Sequence, residues 1–273
     1  MISVRDLTVR YGPAAALSGV SFAAADGEWL GIIGPNGAGK TTLLNAVARL
    51  LPAAGDIVLG DRPAGQLTRR QLARRVAYVP QRPVLPPDMT VSEYVLLGRT
   101  AHIGYLGTET PGDRRVCAEV TARLDLTAMA GRALRSMSGG ELQRVVLARA
   151  IAQEAPVLLL DEPTSALDLG RRMDALELID EIRRERSLTI LSAVHDLALA
   201  GQFADRLLLL SGGQIVAAGS PAEVLRDDVV SAHFGRGVQV LVTDDGDIAV
   251  ITRRRRSASA AGRLANSDAC TTP

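Results

Sequence analysis

Residues 34–41, Gly34-Pro35-Asn36-Gly37-Ala38-Gly39-Lys40-Thr41, space two glycines, a lysine and a threonine as G-x-x-x-x-G-K-[ST]. Glycines at that spacing let successive backbone N–H groups point into one concavity, and a helix starting there adds the positive end of its dipole. A lysine ammonium supplies charge for outer phosphates, and a threonine hydroxyl can ligate a divalent cation. The chemistry is therefore the gripping of a polyphosphate. Of 31 basic residues only Lys40 is a lysine. A sequence that uses arginine everywhere else requires a compact ammonium here rather than a planar fork. An ordinary glycine-rich turn would explain the glycines but not the solitary lysine.

A second candidate is the apolar run Leu158-Leu159-Leu160 ending in Asp161-Glu162. A carboxylate at the carboxyl end of a central strand can hold a cation beside the loop hydroxyl, which makes Asp161 the metal-side residue. Its neighbour Glu162 can orient and deprotonate an attacking water, as a general base. Standing alone, such a pair would read as a surface turn. Ser138-Gly139-Gly140-Glu141 has two compatible readings: a capping box that opens a helix, and an anion site where a hydroxyl, glycine amides and a helix dipole converge.

The elements that must position these residues are legible from periodicity. Residues 2–9 alternate apolar and polar, Val20 and Phe22 continue the pattern, and Trp29 to Ile33 form a buried run, so strands are expected here. The glycine loop then follows a strand and precedes a helix over 41–51. Two short strands are expected at 55–60 and 75–80. From Pro83 to Ala152 the pattern turns helical, with a capping box at Thr90 to Glu93, a helix from Asp113 to Leu126 and one opening at Ser138. The runs 157–162, 188–194 and 206–210 read as strands. An amphipathic helix carrying Met173, Leu176, Ile179 and Ile182 separates the first two. Near-continuous apolar strands alternating with helices imply a parallel sheet covered on both faces. Ser220-Pro221-Ala222-Glu223 opens a short helix, and residues 238–252 alternate around Asp245-Gly246, a hairpin signal.

Composition sets the outer bounds. The chain of 273 residues is 47% hydrophobic and 22% charged, the profile of a globular protein with a substantial core. A formal net charge of +1 gives no reason to expect a nucleic-acid partner. Cys117 and Cys270 lie too far apart to suggest a disulfide framework or metal site, which fits a reducing cytoplasm. No apolar run reaches the roughly 18 residues that cross a bilayer, and the first ten residues lack a signal-peptide pattern, so a soluble chain is expected. From Arg253 onward the sequence is rich in Ser, Ala and Arg, and is expected to be a disordered tail with a solvated arginine run.

Taken together, residues 34–41, Met137-Ser138-Gly139-Gly140-Glu141-Leu142-Gln143-Arg144, Leu158 to Glu162, Ser165-Ala166-Leu167-Asp168 and His195 resemble the nucleotide-binding subunit of ABC transporters, in matching order. The resemblance covers roughly residues 1–235. It implies an α/β fold: a P-loop NTPase core of mostly parallel sheet with helices on both faces, an N-terminal antiparallel β part and a helical insert. Residues 1–236 would form the nucleotide-binding domain with its insert at about 83–152, followed by a hairpin extension at 237–252 and the tail at 253–273.

The resemblance also implies ATP and Mg²⁺. Gly34 to Thr41 and Thr42 of one copy would face Ser138, Gly139, Gly140 and Glu141 of a second copy across the nucleotide, with Asp168 at the seam. Tyr11 matches an aromatic that stacks on adenine. Gln81 matches a glutamine that touches the metal or water and reports to the membrane subunit, and His195 one that contacts the γ-phosphate. His102 and His233 have no such setting. Met137 and Glu141 depart from the commoner leucine and glutamine without affecting hydrolysis.

Implied partners are a second copy, permease subunits and, through them, an extracytoplasmic substrate-binding protein, with the chain peripheral on the cytoplasmic side of the cell membrane. Thr90 to Thr100, SGGELQRVVLARAIAQ and the hairpin look most like the ATPases of importers for ferric siderophores, haem and cobalamin. Another cargo, or a soluble ABC ATPase acting on ribosomes or DNA, are the alternatives.

Overall fold

The structure is a computed structural model that describes residues 1–104, 107–164, 169–235, 238–242 and 248–252. In chain order the strands and helices are β1 (Ile2–Tyr11), β2 (Ala14–Ala24), β3 (Trp29–Ile33), α1 (Lys40–Val47), β4 (Ala54–Leu59), β5 (Arg62–Pro63), α2 (Arg69–Ala73) and β6 (Val76–Val79). Then come α3 (Val91–Leu96), α4 (Pro111–Arg123), α5 (Gly139–Ala152), β7 (Val157–Asp161), α6 (Leu169–Arg186), β8 (Thr189–Ala193), α7 (Leu197–Phe203) and β9 (Arg206–Ser211). The chain closes with β10 (Gln214–Gly219), α8 (Pro221–Val224), α9 (Asp227–Phe234), β11 (Val238–Val242) and β12 (Ile248–Thr252).

Two sheets carry the fold. One is antiparallel in the order β2-β1-β4-β5, the other is ordered β10-β9-β3-β8-β7-β6 and is parallel except for its β10 edge. Because strand side chains alternate, one buried run serves two cores. In β7, Val157 and Leu159 join the antiparallel sheet and α1, while Leu158 and Leu160 join the helices on the opposite face. The same division holds in β9, where Leu208 and Leu210 face one way and Leu207 and Leu209 the other. This explains why these strands read as unbroken apolar runs: neither face meets water.

The capping boxes form as the sequence requires at Thr90, Ser138 and Ser220. Helices α1 and α4 differ from their expected bounds, α4 also stopping at Arg123 rather than Leu126. Helix α1 stops at Val47, because Arg49 turns left-handed with φ 55° and the chain leaves toward β4. Helix α4 begins at Pro111, two residues before Asp113, since Thr110 is the cap and Asp113 its capping-box partner. Asp113 also binds Arg99 at 2.8 Å, and Arg99 reaches Glu154 and the Ala152 carbonyl, a buried tie between the α3 region, α4 and α5. Strands β11 and β12 pair antiparallel, while the intervening Asp245-Gly246 and the tail expected from Arg253 lie outside the described residues. Among the described residues no helix is long and apolar enough to cross a membrane.

Candidate functional site

Parallel strands deliver their carboxyl ends to one edge, and the candidate residues follow β3, β6, β7 and β8 there. The loop after β3 needs its glycines. A Cβ on Gly34, at φ 151°, would collide with the Leu210 carbonyl oxygen. One on Gly39, at φ 106°, would sit 2.7 Å from Leu17 Cδ2 and 2.9 Å from the Ala16 carbonyl oxygen. Gly39 then starts α1 without a capping side chain, so the cap residue itself supplies no acceptor to the first-turn amides. Lys40, 6% exposed, curls over this loop and donates to the carbonyl oxygens of Gly34 at 2.7 Å and Pro35 at 3.1 Å. Burial lowers its pKa, opposed by the charges of Glu162 and Asp161.

Asp161 ends β7 fully inside the protein, on the face shared with α1, and its Oδ1 accepts from the Thr41 hydroxyl at 3.0 Å. Burial raises its pKa, with Glu162 adding to the effect, while the Thr41 and Tyr78 hydroxyls and Lys40 oppose it. The next residue leaves the strand in an unusual way. Glu162 has φ 50°, and its amide donates to the Ala193 carbonyl at 3.1 Å. A left-handed conformation costs a non-glycine residue about 1–2 kcal/mol and concentrates at functional turns. Here it turns the carboxylate toward two side chains: Gln81 Nε2 lies 2.5 Å from Oε2 and His195 Nε2 lies 2.5 Å from Oε1. Gln81 follows β6, and His195 follows β8 just before Asp196, which caps α7 through the amides of Ala198 and Leu199.

These residues share one open cleft of about 410 Å³, lined by Ala16, Asn36 to Thr42, Gln81, Glu162 and His195. The structure thus brings together the glycine loop, the acids of β7, Gln81 and His195. It does not bring in Ser138 to Glu141, whose hydroxyl and carboxylate are occupied in their own capping box and of which Gly140 lines a different groove with Arg123 and Arg144. Tyr11, 57% exposed at the end of β1, stands in solvent and is no core residue. Asp168 and Ser165 to Leu167 lie outside the described residues. His102 contacts the Gln153 carbonyl at 2.9 Å and His233 lies in α9, both apart from the cleft.

Two contributors escaped the sequence reading. Ala16 lines the cleft through its place beside Gly39 in the β1–β2 hairpin, a tertiary contact with no local signature. Tyr78 donates its hydroxyl to Asp161 Oδ2 at 3.3 Å, and the only sequence signal would have been its alternate position in the strand before Gln81.

A strand, a glycine loop opening a helix, a histidine after the adjacent strand and a pair of acids at the end of the strand beyond it define a phosphate-binding core, and residues 17–165 match the family model for ABC transporters. The chain belongs to the ABC transporter family. It is 42% identical over 238 residues to the hemin import ATP-binding protein HmuV of Streptomyces coelicolor, covering 86% of this chain and 83% of that one. It is 34% identical over 240 residues to the ferric enterobactin transport ATP-binding protein FepC of Escherichia coli, covering 88% of each. A cobalamin import ATP-binding protein of Halobacterium salinarum is 38% identical over 240 residues, and the chain spans 60% of that longer relative. Among solved structures, an inward-facing transporter assigned to the metal-chelate ABC type superposes with TM-score 0.79 at 27% identity, over 93% of this chain and 98% of that one. A dimeric ABC cassette bound to ADP and phosphate in a post-hydrolysis state gives TM-score 0.72 at 28% identity, over 81% and 99% of the two chains.

Proposed function

We propose that this chain is the ATP-binding and ATP-hydrolysing motor of an ABC importer for a ferric siderophore, or for related haem or cobalamin. It works as a homodimer beneath permease subunits, peripheral on the cytoplasmic side of the cell membrane, with an extracytoplasmic substrate-binding protein supplying cargo. The observation that carries the catalytic part is the Glu162 carboxylate held between Gln81 and His195 at the mouth of the cleft that contains Lys40. The cargo rests on relatives whose names specify hemin, ferric enterobactin and cobalamin. Residues 1–236 would act as the nucleotide-binding domain, with 83–152 its helical insert and 237–252 an appended hairpin.

Each role follows from chemistry. The loop amides and the start of α1 bind phosphate oxygens, and Lys40 exchanges the Gly34 and Pro35 carbonyls for them. The Thr41 hydroxyl and Asp161 carboxylate offer an all-oxygen pair suited to Mg²⁺. An ion held by this pair would be completed by substrate phosphates. When bound, Mg²⁺ supplies charge neutralisation at those phosphates. Glu162 takes the proton of the attacking water, while Gln81 and His195 fix its two oxygens. Tyr11 stacks on the adenine. Ser138, Gly139, Gly140 and Glu141 of the twin complete the site with Asp168 at the seam, and closure excludes bulk water.

The test is Lys40→Ala in the full chain. ATP binding and phosphate release should both fall to background; normal binding and cleavage, or an active species that proves to be a lone copy, would overturn the reading. For the cargo, the chain reconstituted with its permease should take up labelled ferric siderophore, haem or cobalamin on ATP addition. Uptake of none of them removes this cargo assignment and leaves the ATPase one standing.

A further inference from the structure

The metal-side carboxylate has a second hydroxyl that no motif predicts. In β6, Ala77 and Val79 point into the core beneath the helices, which turns Tyr78 to the opposite face, the one that Asp161 shares with α1. Strand β6 runs parallel to β7 with Tyr78 beside Leu159, so the ring reaches forward along the neighbouring strand to its last residue. Its hydroxyl donates to Asp161 Oδ2 at 3.3 Å while the Thr41 hydroxyl donates to Oδ1 at 3.0 Å. One buried carboxylate therefore takes a different hydroxyl on each oxygen. The torsion that turns a carboxylate is broad, so a single donor leaves its plane free and two donors on opposite oxygens fix it.

Tyr78 is itself anchored. Its carbonyl oxygen accepts from Arg149 Nη2 at 3.3 Å, and the Arg149 guanidinium lies 5.6 Å from the centre of the Tyr94 ring on α3. The height of the tyrosine in its strand is thereby tied to α5 and α3. A phenylalanine would pack as well at this half-buried place, so packing leaves the hydroxyl unexplained.

We propose that Tyr78 is a positioning residue for the metal side of the site: its hydroxyl holds Asp161 Oδ2 so that Oδ1 stays turned toward Thr41 and the divalent cation those two oxygens would share. The inference rests on the assignment of Thr41 and Asp161 proposed above. Partners that orient a metal-side carboxylate control metal affinity more than nucleotide affinity, and losing one weak hydrogen bond corresponds to about a three- to tenfold change.

Tyr78→Phe in the full chain tests it, with Mn²⁺ as the probe. Binding of Mn²⁺ in the presence of ADP is followed by the loss of the free-ion EPR signal against an ADP-only control. Binding of a fluorescent ATP analogue in EDTA is measured alongside. The variant should bind the analogue in EDTA like the parent and bind Mn²⁺ about three- to tenfold more weakly, with the metal requirement for phosphate release raised. Equal Mn²⁺ affinity in parent and variant overturns the role of Tyr78 alone. A parallel loss of binding in EDTA makes Tyr78 a packing residue and also overturns it. A parent that binds no Mn²⁺ with ADP overturns the underlying site assignment and this inference with it.

Discussion

Replacing Glu162 by glutamine separates chemistry from architecture, because the substitution preserves volume and removes one function. In the parent, Oε2 faces Gln81 Nε2 and Oε1 faces His195 Nε2. A glutamine can turn its oxygen to Gln81 and its NH₂ to the imidazole nitrogen, so both neighbours keep a partner once His195 carries its proton on Nδ1. What is lost is the charge assistance of two hydrogen bonds in a partly open cleft, about 1 kcal/mol, or a fall in melting temperature of about 2–4 °C. The left-handed backbone at residue 162 is unchanged, so its strain cancels between parent and variant. Turnover should behave differently. A general base contributes about 10²- to 10⁴-fold, equivalent to about 2.7–5.4 kcal/mol on the barrier. Phosphate release at saturating ATP should therefore fall at least a hundredfold in a protein that melts almost normally and still binds ATP. With hydrolysis blocked, an ATP-dependent dimer should accumulate on size exclusion. Phosphate release within about threefold of the parent, with ATP binding intact, would refute the assignment of Glu162.

Two further outcomes concern stability. Asp113 is held below the ordinary carboxylate range by the Thr110 hydroxyl and amide and by Arg99. A depressed folded-state pKa means that its contribution is present above the unfolded pKa and is lost as pH falls through the folded value. Asp113→Asn should cost about 2–3 kcal/mol near pH 7, read by urea denaturation, with the gap to the parent closing in acid; a gap independent of pH would refute this account. Ser187 follows α6 left-handed at φ 51°, exposed, and its side chain makes no hydrogen bond among the described residues. Ser187→Gly should therefore raise the unfolding free energy by about 0.5–1 kcal/mol, and a lower melting temperature would show that the strain is absent.

What could be read from residues alone was whatever backbone geometry and charge dictate locally. Gly34 and Gly39 are required by collisions that any side chain would make, so the loop announces itself. The apolar runs of β7 and β9 declare a sheet buried on both faces because each run supplies two cores at once. Helix α1 is four residues shorter at its end than its apolar pattern predicts because that end is set by Arg49, whose side chain donates to the Ala64 carbonyl and whose left-handed turn has no glycine to signal it. Helix α7 beside His195 has little sequence signature although Asp196 caps it, since its first residues continue the apolar texture of β8. Tyr78 and Ala16 were invisible for a different reason. Their relation to Asp161 and Gly39 exists only once strands distant in sequence lie side by side.

The separation of Ser138 to Glu141 from the Lys40 cleft also has a physical logic. A helix end that waits for an anion from another molecule must stay folded while it waits, or each encounter would have to form the first turn again. In the structure this helix end is satisfied internally, as the proposed dimer would need. The Ser138 amide donates to Glu141 at 2.7 Å, the Glu141 amide donates to the Ser138 hydroxyl at 3.3 Å, and Arg132 lies 3.6 Å from the Glu141 carboxylate. The Ser138 amide and hydroxyl hold the Glu141 carboxyl below its ordinary pKa. A glutamate beside an incoming phosphate would repel it unless its charge were already engaged, and both the cap and Arg132 engage it. The glycine amides, by contrast, have no side-chain acceptor in the capping box, which spends only the Ser138 and Glu141 groups. A box that uses the serine and glutamate while leaving the glycines open is what a half-site needs if its ligand arrives on a twin.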